Sequence, residues 1–207
     1  MSALEMLKKH TASALVALLL TISGPGAAAS PAPDAAASPA LDQSAKKAPT
    51  QIVLPARMPA GCLKEATERY QLRPDILLAI FKVESGGKAG VEGVNRNQTK
   101  DLGVGQLNTD SWAKYMVNKY GIPLDTLKNN MCQGIMSSAY ALRSEMNRCI
   151  KGGFRGADAV WCSVAVYHHG GALPVPTANA KIREIQKVYV SKVWAAYQRI
   201  VAKGRFE

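Results

Sequence analysis

Pro74-Asp75-Ile76-Leu77-Leu78-Ala79-Ile80-Phe81-Lys82-Val83-Glu84-Ser85-Gly86-Gly87 reads as one complete helix with its own start and stop. Pro74 suits the first helical position, where no backbone N–H is needed. Ile76, Leu77, Ile80, Phe81 and Val83 form an apolar body, and the Gly86-Gly87 pair ends it. Glu84 lies at the end of this apolar helix. Burial there raises a carboxylate pKa, because the charged form loses solvation. An acid still protonated near neutral pH can give its proton to a leaving-group oxygen. A plain polar residue at a helix end would satisfy the same string, so the rest of the chain has to decide.

Working outward, the periodicity predicts helices almost everywhere. Leu63, Ala66 and Tyr70 make one stripe over 62–71. Residues 88–108 are rich in Gly and Asn, show no clean period, and read as a long loop with a short hairpin. Thr109 or Asp110 caps a helix to Tyr120, stopped by Gly121 and Pro123. Further helices are predicted over about 130–149, 157–168 and 179–203. In the last, Ile182, Ile185, Tyr189, Val193, Ala196 and Ile200 step by three or four, an amphipathic face that can close a core. The prediction is a mostly α domain whose long irregular segment follows Glu84, the place where function is often carried.

The remaining 60 residues divide in two. Lys8, Lys9 and His10 precede an apolar run from Ala12 to Ile22, and Ala27-Ala28-Ala29 supplies small residues for cleavage. Residues 1–29 are thus expected to be a secretory signal peptide. An uncleaved anchor is disfavoured, since the run spans roughly 16 Å as a helix against about 30 Å of hydrocarbon. Residues 30–60 carry Pro31, Pro33, Pro39, Pro49, Pro55 and Pro59 among alanines and read as an extended linker. The domain is expected over 61–207, in a periplasmic protein with no membrane span once the signal is removed.

The 207 residues are 47% hydrophobic with a formal net charge of +11, which excludes an acidic disordered chain and a multi-span membrane protein. Of that charge, +9 falls on residues 61–207. The basic residues are scattered, and no recognition motif or stripe argues for nucleic acid. Cys62, Cys132, Cys149 and Cys162 all lie in the domain, an even number suited to an oxidising compartment. Four cysteines allow three pairings. Cys62–Cys132 with Cys149–Cys162 is favoured, the second closing a short helix–loop–helix. No Cys-x-x-Cys occurs and His168-His169 are adjacent, so neither metal nor cofactor is expected.

Two further strings accompany Glu84. Asp101-Leu102-Gly103-Val104-Gly105-Gln106-Leu107-Asn108 offers two glycines, which permit close backbone approach to a ligand, and amides suited to sugar hydroxyls. Val166-Tyr167-His168-His169-Gly170-Gly171 ends the penultimate helix with an aromatic residue and a glycine pair. Each also reads blandly, the first as a turn and the second as a core tyrosine with a cap. Their order and spacing are more specific than either alone.

Glu84-Ser85-Gly86, Gly103-Val104-Gly105-Gln106-Leu107-Asn108 and Val166-Tyr167-His168-His169-Gly170 together resemble the three ordered motifs of the lysozyme-like lytic transglycosylases. Within that family the likeness is to small exported members associated with type IV secretion, conjugation and pilus systems. It covers about residues 61–200. Two departures stand out: Val104-Gly105 replaces the usual Leu-Met, and His168 stands where the family has Asn. A histidine there makes one donor and one acceptor bond, with a charge that follows pH.

The resemblance implies a goose-type, lysozyme-like helical fold with a small hairpin or irregular loop beside the cleft. It also implies a carbon–oxygen lyase acting on peptidoglycan glycan strands. Glu84 would protonate the MurNAc–GlcNAc oxygen and then, as base, help the MurNAc 6-hydroxyl attack C1. The product is a 1,6-anhydro end, without the second carboxylate that most glycosidases use. Ser85 would hold Glu84. Gly103, Gln106, Asn108 and His168 would bind substrate, and Tyr167 would shape the pocket. Tyr189 resembles a tyrosine of the family's last helix that faces the site, although the apolar stripe equally suits a core tyrosine. Implied partners are peptidoglycan and components of a secretion, conjugation or pilus apparatus. The alternatives are a hydrolytic muramidase on the same scaffold and a non-catalytic wall-binding assembly module.

Overall fold

The computed structural model describes residues 51–206. The expected signal peptide, 1–29, and the linker up to residue 50 lie outside the described residues. The fold is mostly helical: α1 Ala60–Arg69, α2 Pro74–Ser85, α3 Trp112–Tyr120, α4 Leu124–Asn129, α5 Met131–Lys151, α6 Gly156–His169 and α7 Ala180–Lys203. Between α2 and α3 lies an antiparallel sheet of β1 Glu92–Val94, β2 Lys100–Leu102 and β3 Leu107–Asn108, in that order.

Helix α2 is central because it is apolar all round. Leu77, Leu78, Ala79, Ile80 and Phe81 are all fully buried. Each large side chain so enclosed contributes about 1.5–3 kcal/mol relative to exposure. One side of α2 packs on α7, which packs on α6; α6 lies on α5 and α5 on α1. Gly86 adopts a left-handed conformation (φ 64°), and the Gly87 N–H returns to the Phe81 carbonyl at 3.0 Å. The helix therefore stops at Ser85, one residue after Glu84, which fixes where both emerge.

Two details differ from the sequence reading. The short helix α4 was not legible, since six residues are too few to show a period. The segment after Glu84 is a three-stranded sheet rather than one hairpin. Its first turn closes by Asn95 N–H to the Thr99 carbonyl at 2.8 Å, its second by Gln106 N–H to Gly103. Register sets Asp101 opposite Gly93 on one side and Asn108 on the other.

The boundary expected at residue 60/61 also needs correction. Met58 is buried, Ile52 and Leu54 pack against the main core, and Val53 pairs in parallel with Arg205. These apolar residues among the prolines have surface to bury, so residues 52–58 join the folded body. Disulfides Cys62–Cys132 and Cys149–Cys162 tie α1 to α5 and α5 to α6. Loop-closure entropy assigns them about 4 and 3 kcal/mol respectively. Among the described residues no helix is long and apolar enough to cross a membrane.

Candidate active site

Glu84 projects from the last turn of α2 toward α7. There the Tyr189 hydroxyl donates to its Oε1 at 2.5 Å, across 105 residues of sequence. The Glu84 side chain is only 13% exposed. Loss of solvation pushes its carboxyl up to about 7; the Tyr189 hydrogen bond opposes this and the nearby Asp101 charge adds to it. Acid and carboxylate are thus both populated near neutral pH, so one group can donate a proton and later take one back. Tyr189 is itself buried, and its phenol is held well above its ordinary value by that burial and by Glu84. The apolar stripe and the site-facing position coexist in this residue: its ring is buried in the core and its hydroxyl reaches Glu84.

His168, at the end of α6, stacks on the Tyr189 ring with centroids 4.1 Å apart and planes within 3°. Its Nδ1 comes within 4.0 Å of Glu84 Oε1, too far for a hydrogen bond. Burial, aided by His169, lowers the His168 pKa, so the ring is neutral at neutral pH and forms no ion pair with Glu84. Two cavities meet at these residues. One, of about 430 Å³, lies against α7 and is floored by Val83, Ile185 and Val188; the other, of about 630 Å³, opens over the sheet. Glu84 and His168 line both.

The sheet side carries the second motif. Asn108 Nδ2 donates to Asp101 Oδ1 at 2.7 Å and to Thr99 Oγ1 at 3.0 Å, while its Oδ1 receives the Asp110 N–H. Asn95 Nδ2 reaches the other Asp101 oxygen at 2.9 Å. Gln106, in a left-handed conformation (φ 49°), donates to the Gly103 carbonyl at 2.8 Å. Gln106, Asn108 and Tyr167 all line the larger cavity, but their donors are engaged with the protein.

Ser85, the motif glycines and Tyr167 all make contacts within the protein. Ser85 does not touch the Glu84 carboxyl: its hydroxyl donates to the Val104 carbonyl at 2.8 Å and accepts the Lys88 N–H. It pins the end of α2 to the glycine turn, acting on Glu84 through the backbone. Gly103 and Gly105 are closely packed by protein. A side chain on Gly103 would strike the Leu127 carbonyl, and one on Gly105 would strike Ser138 and Tyr167. Tyr167 is buried and donates to the Gly105 carbonyl at 2.7 Å, clamping that turn beneath the cleft.

Sequence reasoning passed over Asp101 and did not see Asn95, Thr99 or Trp112, all of which line the larger cavity. Thr99 and Asp101 are two apart in an extended segment, and that alternation was the available signal for a shared polar face. Glu92, the other acidic residue of the segment, is not at the site. Its carboxylate bridges Lys100 at 2.8 Å and Lys128 at 2.9 Å, which together hold its pKa down to about 2.

The family described as transglycosylase SLT domain matches residues 61–188. Invasion protein IagB of Salmonella typhi is 29% identical over 141 residues, covering 68% of this chain and 78% of the relative. Protein IpgF of Shigella flexneri is 29% identical over 146 residues, covering 70% of this chain and 85% of the relative.

Proposed function

This chain belongs to the transglycosylase SLT domain family, whose substrate is cell-wall peptidoglycan, and from that premise we propose that it is an active lytic transglycosylase with Glu84 as its catalytic acid and base. The observation that carries the reading is the Glu84 carboxyl: buried, raised to about 7, hydrogen-bonded by Tyr189, and placed where two cavities meet. A glycan strand lying through both cavities would set its scissile oxygen beside that acid. Protonated Glu84 gives its proton to the oxygen between MurNAc and GlcNAc, the C1–O bond breaks, and GlcNAc leaves with a free 4-hydroxyl. The substrate's N-acetyl group supports the electron-poor C1. Ionised Glu84 then takes the proton of the MurNAc 6-hydroxyl as its oxygen bonds to C1, forming the 1,6-anhydro ring. The carboxyl ends as it began and no water is consumed.

The intramolecular outcome is favoured by the state of the second carboxylate. Asp101 is bonded by Asn95 and Asn108, each of which spends an amide donor on it, so it is poorly placed to activate water. Its charge serves to keep Glu84 protonated. Gln106, Asn108 and His168 would meet sugar polar groups with their remaining capacity. Residues 1–29 would export the chain to the periplasm, and local opening of the wall for a secretion, conjugation or pilus apparatus is the proposed purpose. The name of the relative IagB, an invasion protein, is compatible with that setting.

Mass spectrometry of muropeptides after digestion is the test. The wild type should release products lighter by one water than those of a muramidase, and Glu84→Gln should lose roughly 10²–10⁴-fold in rate. Hydrated products would assign a muramidase. Unchanged wall binding and phenotype in Glu84→Gln would leave the assembly-module reading.

A further inference from the structure

The residues outside the family match, 52–58 and 200–206, meet directly behind the catalytic helix end. Val53 N–H donates to the Gly204 carbonyl at 2.9 Å, and Phe206 N–H returns to the Val53 carbonyl at 3.0 Å. A turn closed by Met58 N–H to the Pro55 carbonyl at 2.8 Å then presents Arg57 to the end of α2. Its guanidinium makes two bonds there: Nε to the Gly87 carbonyl and Nη2 to the Gly86 carbonyl, both at 3.0 Å. Phe206 and Met58, both buried, lie against Gly87, where an added side chain would collide with the Phe206 ring.

Gly86 and Gly87 both have positive φ, 64° and 73°, and follow Glu84 by two and three residues. Two glycines in succession form the most freely rotating joint a chain can have. A joint of that kind beside the catalytic acid would let Glu84 drift from the Tyr189 hydroxyl. The planar fork of an arginine, bonded to both carbonyls at once, removes that freedom. On the other flank Ser85 pins the same helix end to Val104.

We infer that the two ends of the described chain form a clasp in which Arg57 is a positioning residue for Glu84, so that residues 52–58 and 200–206 belong to the catalytic apparatus. The inference rests on the proposed role of Glu84. It accounts for a strongly polar residue in an otherwise apolar strap: Ile52, Leu54 and Met58 anchor it, and Arg57 delivers the contact.

The test is steady-state kinetics of the full chain on soluble peptidoglycan strands across pH, beside thermal melts. Arg57→Ala should lower kcat about tenfold or more while KM stays within about twofold, because misplacement of the acid affects the transition state and not substrate binding. Its alkaline limb should also move down by about half a pH unit, as a loosened Glu84 gains water. Arg57→Lys keeps the charge but not the fork, and should fall between the two. A reduced melting temperature with kcat and the alkaline limb unchanged would overturn the inference, the clasp then being structural only. If Arg57→Ala does not fold, Arg57→Lys decides by the same two readouts: a wild-type kcat and limb overturn the inference, an intermediate loss supports it. Failure of the catalytic reading is separate, because it would show as activity surviving in Glu84→Gln.

Discussion

The cleft has two walls of opposite character. On the helical wall, from α2, α6 and α7, the solvation lost by Glu84 is only partly replaced. Glu84 has one hydrogen bond and stands among apolar neighbours, and its pKa moves to about 7. On the sheet wall, Asn95, Thr99, Asp101 and Asn108 satisfy one another. The lesson is that a carboxylate becomes a usable acid where the protein replaces too little of its water. The helical wall supplies reactivity, and the sheet wall supplies shape and a fixed negative charge.

The contrast can be broken most strongly at Glu84 itself. Its pKa is raised above the unfolded value near 4.5, so the native state holds a proton that the unfolded state loses between pH 4.5 and about 7. Stability is therefore full below that window and falls as pH rises through it. Glu84→Gln should leave stability at pH 4 nearly unchanged and raise it at pH 8 by about 3 kcal/mol, as measured by urea unfolding. Equal effects at both pH values would mean that the carboxyl is not strained by burial.

Tyr189→Phe keeps the stack on His168 and removes the one donor. The Glu84 pKa should rise above about 7, moving the alkaline limb of activity upward. The rate should fall roughly tenfold, because the ionised intermediate loses a charge-assisted hydrogen bond. A limb that does not move would show that the tyrosine only fills space. The smallest change is expected from the opposite wall. Asp101→Asn removes the weakest of the influences on Glu84, a charge that keeps it protonated, so the alkaline limb should shift down by about half a unit or less. A shift as large as that of Tyr189→Phe would erase the distinction between the walls.

How much of this was legible beforehand depended on range. Pro74, the apolar run and Gly86-Gly87 set α2 to the residue, because caps and periodicity act within one or two turns. Helix α4 was too short to show, and the sheet was partly missed because strands of two or three residues carry little alternation. Among site residues, Glu84 and the three motif positions were visible. The long-range contacts of Ser85, Gly103 and Gly105 were not, since they reach 19 residues away or more: Ser85 on Val104, Gly103 against Leu127, Gly105 against Ser138 and Tyr167. The strap at 52–58 was hidden for the same reason, its bonds reaching 29 and 30 residues forward to Gly86 and Gly87.

By itself, then, the sequence determined the longer helices, the family motifs and the identity of the single candidate acid. All of these are written in local spacing or in the order of short strings. Only the tertiary structure decided that this acid is buried, that among the described residues its donor is Tyr189, and that a clasp of residues 52–58 and 200–206 stands behind it. Burial and distant hydrogen bonds are properties of packing. A pKa near 7 is a property of surroundings, and no stretch of residues carries it alone.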